Sequence, residues 1–181
     1  MKSSCITETN LSNKIHQGKV RDTYDLEDGR LLMVATDRIS AFDVVLPTGI
    51  PNKGHVLSRM SAFWFELTAH LMPNHLIALT DDTTIDLTNS TVGQLPDEII
   101  ARAMIVHRAE RVDVECIVRG YLAGSAWAEY RKKGTIFGSH AQSGMQEGEK
   151  FPEPIFTPTT KAEEGHDEDI SIQEVADLVG T

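Results

Sequence analysis

The clearest pattern of apolar positions lies in GHVLSRMSAFWFELTAHL, residues 54–71. Large apolar side chains recur there at helical spacing, and Ser, Arg, Glu and Thr occupy the positions between them. This periodicity predicts an amphipathic helix that ends before Pro73 and covers a sheet with its apolar face. The residues expected to face the core are Val56, Leu57, Met60, Phe63, Trp64, Leu67 and Leu71.

Short apolar runs bounded by turn residues predict the strands of that sheet. They lie at residues 20–26, 30–35, 41–46, 76–80 and 103–108. The first two runs are joined by LEDGR, and an Asp-Gly pair is typical of a tight hairpin with a positive φ angle.

The second half of the chain has weaker patterns. Another apolar run follows at residues 112–118, and GSAWAEYRKKG then predicts a short helix with Ser125 as its N-cap and Gly134 as its stop. From about residue 137 to Ile170, glycine, proline, serine and charged residues predict mostly loop.

Length and composition set broad limits on the kind of protein. A chain of 181 residues holds one core or two small domains. No apolar run approaches the roughly 20 residues that span a bilayer, and the first residues lack the apolar stretch of a secretory signal. We therefore expect a cytoplasmic protein that makes no membrane contact. With only Cys5 and Cys116, a metal site made of cysteines is excluded.

The formal net charge of −10 is concentrated in the last part of the chain. Residues 147–181 contain ten acidic side chains and only two lysines. Nucleic-acid-binding surfaces show a concentrated basic patch, so we expect no nucleic-acid partner. Small phosphate ligands remain compatible with this charge, because a few local donors are enough to bind them.

Two charged clusters bracket the apolar residues 31–35. GKVRD precedes them at residues 18–22, and TDRISAFD follows at residues 36–43. Glycine permits close backbone approach, and Lys19 and Arg21 are expected on the same side of a strand, an arrangement that suits a polyphosphate. A solvated edge strand and a capped turn explain the same residues. Neither a Walker loop nor G-x-G-x-x-G occurs.

Two later stretches combine charge with apolar or proline-rich surroundings. In VDVECIVRGYLAGS, residues 112–125, Glu115 and Arg119 are four residues apart within an apolar run. Burying two such charges costs free energy unless partners or a ligand satisfy them. PIFTPTTKAEEGHDEDIS, residues 154–171, presents three threonines, Lys161 and His166 among acidic residues. Such a segment suits an anionic substrate or a magnesium site, and it equally suits a flexible acidic loop.

Together, GKVRD, ATDRISAFD, ECIVRGYLAGS and FTPTTKAEEGHDEDIS, in this order, resemble the SAICAR synthetase (phosphoribosylaminoimidazole-succinocarboxamide synthase) family. The resemblance runs from about residue 13 to 172. It implies an α+β fold: a small N-terminal antiparallel β domain with a covering helix, followed by part of a larger α+β ATP-binding domain. The expected domains are residues 1–108 and 109–181.

The resemblance also implies an activity and its ligands. The family condenses carboxyaminoimidazole ribonucleotide with L-aspartate, using ATP and Mg²⁺, and releases ADP and phosphate in purine biosynthesis. A truncated ATP-binding portion without catalysis, or a phosphonucleotide kinase-like enzyme, remains an alternative. A homo-oligomer is compatible with either interpretation.

The resemblance assigns roles position by position. The expected ATP-binding residues are Gly18, Lys19, Val20, Arg21 and Asp22 around the phosphates, and His107, Ala109 and Arg111 in a hinge that faces adenine. The expected substrate-binding residues are Arg119, Ser125, Arg38, Ser40, Asp43 and Lys53. The expected catalytic residues are Lys161 and Asp167.

The second family signature, a strand of the Asp-x-Lys-x-Glu-Phe-Gly type, does not occur in residues 1–181. In the family, that strand and a later aspartate supply carboxylates for Mg²⁺. The resemblance therefore implies an N-terminal portion of the synthase that is inactive by itself, and the metal ligands stay unknown.

Overall fold

The computed structural model describes residues 5–42, 44–82, 87, 90–161 and 168–180, without the side chains of residues 139 and 140. The chain divides into two compact units, Met1–Ala109 and Glu110–Thr181. The expected domain boundary lies one residue before this division. The fold is α+β, as predicted, and the main sheet is antiparallel.

The first unit is built on a five-stranded sheet. Its strands, with one separate two-stranded pair, are β1 (Lys14–Gln17), β2 (Arg21–Asp25), β3 (Arg30–Ala35), β4 (Ser40–Ala41), β5 (Val44–Val45), β6 (Leu76–Leu79) and β7 (Ala103–His107). The order across the sheet is β1-β2-β3-β7-β6, and each neighbouring pair is antiparallel.

Four of the five predicted strands are confirmed as members of this sheet. The strand predicted at residues 41–46 is wrong, because β4 and β5 are two residues each and pair with each other instead. Phe42 adopts a positive φ of 49°, which turns the chain back and stops a longer strand. β1 has no counterpart among the predicted strands.

The hairpin between β2 and β3 is confirmed. Asp25 pairs with Leu31, and the Leu26 amide donates to the Arg30 carbonyl at 3.2 Å. Gly29 has the predicted positive φ, at 83°. The Asp-Gly signal therefore identified the turn from local sequence alone.

The predicted long helix is present as α1 (Lys53–Thr68), but its predicted orientation is wrong. The buried residues are Gly54, Ser58 and Ala62, a stripe of small side chains. The large apolar residues lie on the exposed side, with Trp64 at 54% exposure. The other exposed members are Val56, Met60, Phe63, Leu67 and Leu71.

Small side chains let α1 approach the sheet closely. A Cβ atom on Gly54 would lie 2.2 Å from the Ala35 carbonyl oxygen, and the Ser58 hydroxyl donates to the Arg102 carbonyl at 2.7 Å. Apolar periodicity predicted that the large apolar side chains would pack on the sheet. Instead, α1 approaches the sheet so closely that only its smallest side chains fit between them.

The core of the first unit combines the sheet with the segment before β7. Leu32 and Val34 of β3 and Ile105 of β7 pack with Leu95 and Ile99, and Ile99 belongs to the short helix α2 (Asp97–Ile100). Burying each such side chain is worth about 1.5 to 3 kcal/mol. This core holds the strands that carry the first candidate site.

The second unit is formed by short paired strands and two helices. Its elements are β8 (Val114–Glu115), β9 (Val118–Tyr121), α3 (Gly124–Lys133), β10 (Thr135–Ile136), β11 (Ser139–His140), β12 (Lys150–Phe156), β13 (Thr159–Thr160) and α4 (Ile172–Val179). The antiparallel pairs are β9 with β12, β8 with β13, and β10 with β11.

Two expectations for the second unit need correction. The seven-residue strand β12 replaces part of the loop expected after residue 137. The N-cap of α3 is Ala123, so Ser125 lies inside the helix, while Gly134 ends it with a φ of 72° as predicted. The core of this unit contains Leu122, Ala126, Ile136, Met145 and Phe151. Among the described residues of both units, no helix is long and apolar enough to cross a membrane.

Candidate functional site

The first candidate site is the turn that carries GKVRD between β1 and β2. The Gly18 amide donates to the Arg21 carbonyl at 2.7 Å and closes the turn. A Cβ atom on Gly18 would lie 3.1 Å from the same carbonyl oxygen, so glycine allows this closure. The Val20 carbonyl accepts from the Thr36 amide at 2.9 Å and from the Thr36 hydroxyl at 3.0 Å. The Lys19 side chain is exposed.

Arg21 extends from β2 toward α1, where its Nη2 donates to the Ser61 hydroxyl at 3.0 Å. Its Nε is buried and has no hydrogen-bond partner in the described part of the chain. Burial lowers the pKa of the Arg21 guanidinium. A buried donor without an acceptor is costly, so this position favours an incoming anion.

Two further basic side chains, Lys53 and His75, lie close enough to Arg21 to be affected by its charge. The pKa of Lys53 is lowered by burial and then by repulsion from Arg21, with Arg38 acting in the same direction and Asp37 against it. The pKa of His75 is lowered by burial, then by Arg21 and His107. Crowded like charges of this kind are relieved by a bound anion.

Asp22 and Arg38 are both buried and form an ion pair at 2.5 Å. Burial raises the pKa of the Asp22 carboxyl, but hydrogen bonds from Arg38 and Thr9 outweigh it, so the pKa is lowered. An ATP contact of Asp22 and a substrate contact of Arg38 stay predictions, and both side chains already have partners within the first unit. Each is bonded to the other inside the unit.

The rest of the TDRISAFD cluster serves the start of α1. Asp37 accepts from the Gly54 amide at 2.9 Å and from Arg102 Nη1 at 2.8 Å. A carboxylate at a helix N-terminus is stabilising, so this aspartate anchors the helix that carries Lys53. Ser40 lies half-buried in β4, and Asp43 lies outside the described residues.

The expected adenine hinge falls at the division between the two units. His107 ends β7 with its side chain exposed, and its amide donates to the His75 carbonyl at 2.8 Å. Ala109 is the last residue of the first unit. Arg111, in the second unit, forms an exposed ion pair with Asp113 at 2.7 Å.

The second candidate site surrounds Arg119 on β9. Its Nε donates to the Thr157 hydroxyl and its Nη2 to the Ser125 hydroxyl, both at 3.0 Å. The guanidinium also lies over the Phe137 ring, 5.1 Å from its centroid. Two of the six expected substrate residues, Arg119 and Ser125, are therefore brought together, and two partners that sequence reasoning missed orient the arginine.

Thr157 reaches Arg119 through the pairing of two strands that are distant in the sequence. Thr157 lies within FTPTT, a segment noted for its threonines, yet nothing local in the sequence connects it to β9. The pairing of Ile155 in β12 with Arg119 creates this contact. Thr157 and Phe137 also line a cavity of about 670 Å³, together with Ile155 and Ile170.

Glu115 and Arg119 do not form the charged pair that their spacing suggested. Glu115 forms an ion pair with Lys161, which lies just after β13. Thr159 in β13 carries a buried hydroxyl with no hydrogen-bond partner among the described residues. Of the two expected catalytic residues, the structure thus places Lys161 beside Glu115, whereas Asp167 lies outside the described residues.

A metal site needs several ligand side chains close together. Across residues 5–42, 44–82, 87, 90–161 and 168–180, no group of three or more His, Cys, Asp or Glu side chains could hold a metal ion. The buried carboxylates of Asp22 and Asp37 are already paired with Arg38 and Arg102. The described residues therefore form no cluster of three such ligands, and the ligands of the expected Mg²⁺ stay unknown.

Comparisons with known proteins agree on one family. The family model described as SAICAR synthetase matches residues 14–181. The phosphoribosylaminoimidazole-succinocarboxamide synthase of Pichia angusta is 46% identical over 97% of this chain and 60% of that protein. The structure of the SAICAR synthase from Saccharomyces cerevisiae, complexed with SAICAR, has a TM-score of 0.83 and 42% identity and covers 97% of this chain and 59% of that chain.

A more distant structure has the same fold. It is a SAICAR synthetase in complex with ADP, with a TM-score of 0.63 and 22% identity, covering 91% of this chain and 57% of that chain. The chain thus spans about 60% of the length of the relatives it matches. Because the family model covers nearly the whole sequence and the Pichia angusta synthase is 46% identical to it, the chain belongs to the SAICAR synthetase family.

Proposed function

We propose that this chain supplies the phosphate-binding and ribonucleotide-binding portion of a ligase that condenses carboxyaminoimidazole ribonucleotide with L-aspartate, consuming ATP. Membership of the family and the SAICAR bound to the yeast relative support this activity. The two cysteines are both free of disulfides, which supports a cytoplasmic setting.

The observation that carries the proposal is the buried Nε of Arg21, which has no acceptor in the described part of the chain. The positive charge of Arg21 also contributes to the lowered pKa values of Lys53 and His75. A polyphosphate beside the glycine turn would accept from Arg21 and reduce this repulsion. Lys19 is exposed on the same turn and contributes a further cation.

The proposed ribonucleotide contact is Arg119. Its guanidinium is oriented by Thr157 and Ser125, each 3.0 Å away, and by the ring of Phe137. A planar guanidinium held in this way presents a fork that matches a carboxylate or a phosphate. The adjoining cavity of about 670 Å³ lies in the size range of small-molecule pockets.

The chemistry requires several anions to be gathered in one place. ATP transfers its terminal phosphoryl group to the imidazole carboxylate, which forms an acyl phosphate and ADP. The aspartate amine then attacks the acyl carbon, forms the amide bond, loses a proton and expels phosphate. Lys19, Arg21 and Lys53 would offset charge on the nucleotide, and Lys161 would do so near the substrate.

Mg²⁺ is expected to offset phosphate charge in reactions of this class. The described carboxylates do not form a site for it, so no step here is assigned to the metal. The proposed roles of Asp167 and Asp43 rest on the resemblance alone, because both lie outside the described residues.

Binding and turnover of the purified 181-residue chain test the proposal separately. Calorimetric titration with ATP and with the ribonucleotide should show binding of both. Incorporation of isotope-labelled aspartate, with Mg²⁺ and both other substrates present, then measures ligase activity. Absence of ATP binding would overturn the assignment of the glycine turn.

These assays, together with a coupled assay of ADP release with and without aspartate, distinguish the alternatives. ATP and ribonucleotide binding without aspartate incorporation would identify a non-catalytic portion of the synthase. ADP release that does not depend on aspartate would instead identify a kinase-like enzyme that phosphorylates its substrate. Aspartate-dependent ADP release together with labelled product would establish the ligase.

A further inference from the structure

Each nitrogen of the Arg38 guanidinium donates to a neighbouring oxygen. Nη1 donates to the Thr7 carbonyl at 2.7 Å, Nη2 to the Gly18 carbonyl at 2.9 Å, and Nε to the Lys19 carbonyl at 3.3 Å. Two of these acceptors are consecutive carbonyls of the GKVRD turn. One rigid, planar group therefore holds that turn at two adjacent peptide units.

The charge of Arg38 is balanced beneath the turn. Nη2 also lies 2.5 Å from Asp22 Oδ1, while Asp22 Oδ2 accepts from the Thr9 hydroxyl at 2.5 Å and lies 3.5 Å from Lys14 Nζ. One carboxylate thus faces two cations. The cluster keeps a net positive charge, which favours phosphate above the turn.

These hydrogen bonds decide where the turn's amides point. In a trans peptide the carbonyl and the N–H point in opposite directions. Because the carbonyls of Gly18 and Lys19 point at Arg38, the N–H groups of Lys19 and Val20 point away from it. Arg21 alternates with Asp22 along β2, so its side chain projects from the opposite face of the strand, toward Ser61.

Arg38 itself is poorly placed to touch a ligand. It is only 6% exposed, and its three nitrogens already have acceptors. A lysine at this position would keep the positive charge, but its single ammonium lacks the planar fork of three nitrogens that here reaches the Thr7, Gly18 and Lys19 carbonyls together. The geometry thus distinguishes a holding role from simple neutralisation of Asp22.

We propose that Arg38 is a positioning residue that fixes the Gly18–Lys19 backbone so that the amides of Lys19 and Val20 and the side chains of Lys19 and Arg21 face the phosphates of ATP. This inference rests on the proposed function. It replaces the substrate contact that the resemblance implied for Arg38.

The test compares Arg38→Lys, which keeps the charge, with the double variant Arg38→Met and Asp22→Asn, which removes both buried charges together. Arg30→Met is the matched control, because Arg30 forms an ion pair with Asp28 at the β2–β3 hairpin. Calorimetry measures the Kd for ATP, ADP and adenosine in the 181-residue chain. Amide hydrogen exchange is followed at Gly18 and Thr36 and, as a core reference, at Ile105.

In Arg38→Lys we expect the Kd for ATP and ADP to rise at least about 10-fold while that for adenosine stays within about 2-fold. Exchange at Gly18 and Thr36 should accelerate at least about 10-fold, with Ile105 unchanged. Combined with Lys19→Ala, which removes one of the four phosphate-facing groups, Arg38→Lys should still weaken ATP binding further, because the amides of Lys19 and Val20 and the side chain of Arg21 also lose their positions. The control should behave as the wild type.

Full ATP affinity in Arg38→Lys would overturn the inference, as would equal losses for ATP and adenosine. If the double variant fails to fold, Arg38→Lys decides the question. If the wild type binds no ATP, the proposed function fails. The hydrogen-exchange rates of Arg38→Lys then decide whether Arg38 holds the turn. Selective acceleration at Gly18 and Thr36 would then support the holding role, and unchanged exchange would refute it.

Discussion

Gly54→Ala is expected to destabilise the first unit, although alanine favours helices. The new Cβ would lie 2.2 Å from the Ala35 carbonyl oxygen and 2.9 Å from Arg102 Nη1. The helix α1 would have to move by about 1 Å to restore ordinary contact distances. That movement weakens the Gly54 amide bond to Asp37, now 2.9 Å, and the Ser58 bond to the Arg102 carbonyl, now 2.7 Å.

The magnitude follows from these two bonds. A hydrogen bond to a charged group contributes about 1.5 to 3 kcal/mol and a neutral one about 0.5 to 1.5 kcal/mol. The higher helix propensity of alanine offsets about 1 kcal/mol of this loss. We therefore expect a net loss of about 1 to 3.5 kcal/mol in the free energy of unfolding.

Urea unfolding followed by circular dichroism measures this loss. Gly120→Ala is the control, because nothing lies within 4 Å of its new Cβ and its φ is not positive. The displaced helix also carries Lys53 and Ser61, so ATP affinity should fall together with stability. A Gly54→Ala chain within about 0.5 kcal/mol of the wild type would refute the close-contact explanation of the orientation of α1.

The remaining predictions concern the two candidate sites and acid stability. Arg119→Ala should weaken ribonucleotide binding about 10-fold or more and leave ATP binding within about 2-fold, because a charge-assisted contact is lost. Thr157→Val should weaken ribonucleotide binding less than Arg119→Ala does. If calorimetry shows that Arg119→Ala weakens ATP binding and ribonucleotide binding equally, the assignment of Arg119 is contradicted. Lys19→Ala should reduce ATP affinity, and an unchanged Kd would make the turn purely structural. Burial raises the pKa of Asp37, but hydrogen bonds from the Ile6 and Gly54 amides and from Arg102 hold it below 3.8. The stabilisation by ionised Asp37 is present above the pKa that this carboxyl has in the unfolded chain, and it is lost as the pH falls through the pKa in the folded chain. The urea concentration at the unfolding midpoint should therefore decrease below about pH 4. Asp37→Asn should flatten that drop, and an identical pH profile would exclude this carboxylate as the cause.

The charged clusters around β3 show how far local sequence reasoning reached. It identified GKVRD and TDRISAFD as unusual and offered a ligand site or a solvated turn as explanations. The structure gives individual residues of these clusters different partners: Asp37 accepts from the start of α1, Arg38 donates to the carbonyls of the glycine turn, and Arg21 donates to Ser61. Asp37 and Arg38 are neighbours in the sequence but bond different segments, because one side chain points to the start of α1 and the other to the glycine turn.

Sequence by itself determined the α+β class, the β2–β3 hairpin, the existence of α1 and α3, and the family. These features depend on periodicity, turn chemistry and motif order, which are all carried by residues close together in the chain. Only the tertiary structure decided which face of α1 meets the sheet, that Glu115 pairs with Lys161, and that Thr157 orients Arg119. Each of these depends on contact distances between segments far apart in the chain, where the size of a side chain and the register of a strand select the partner.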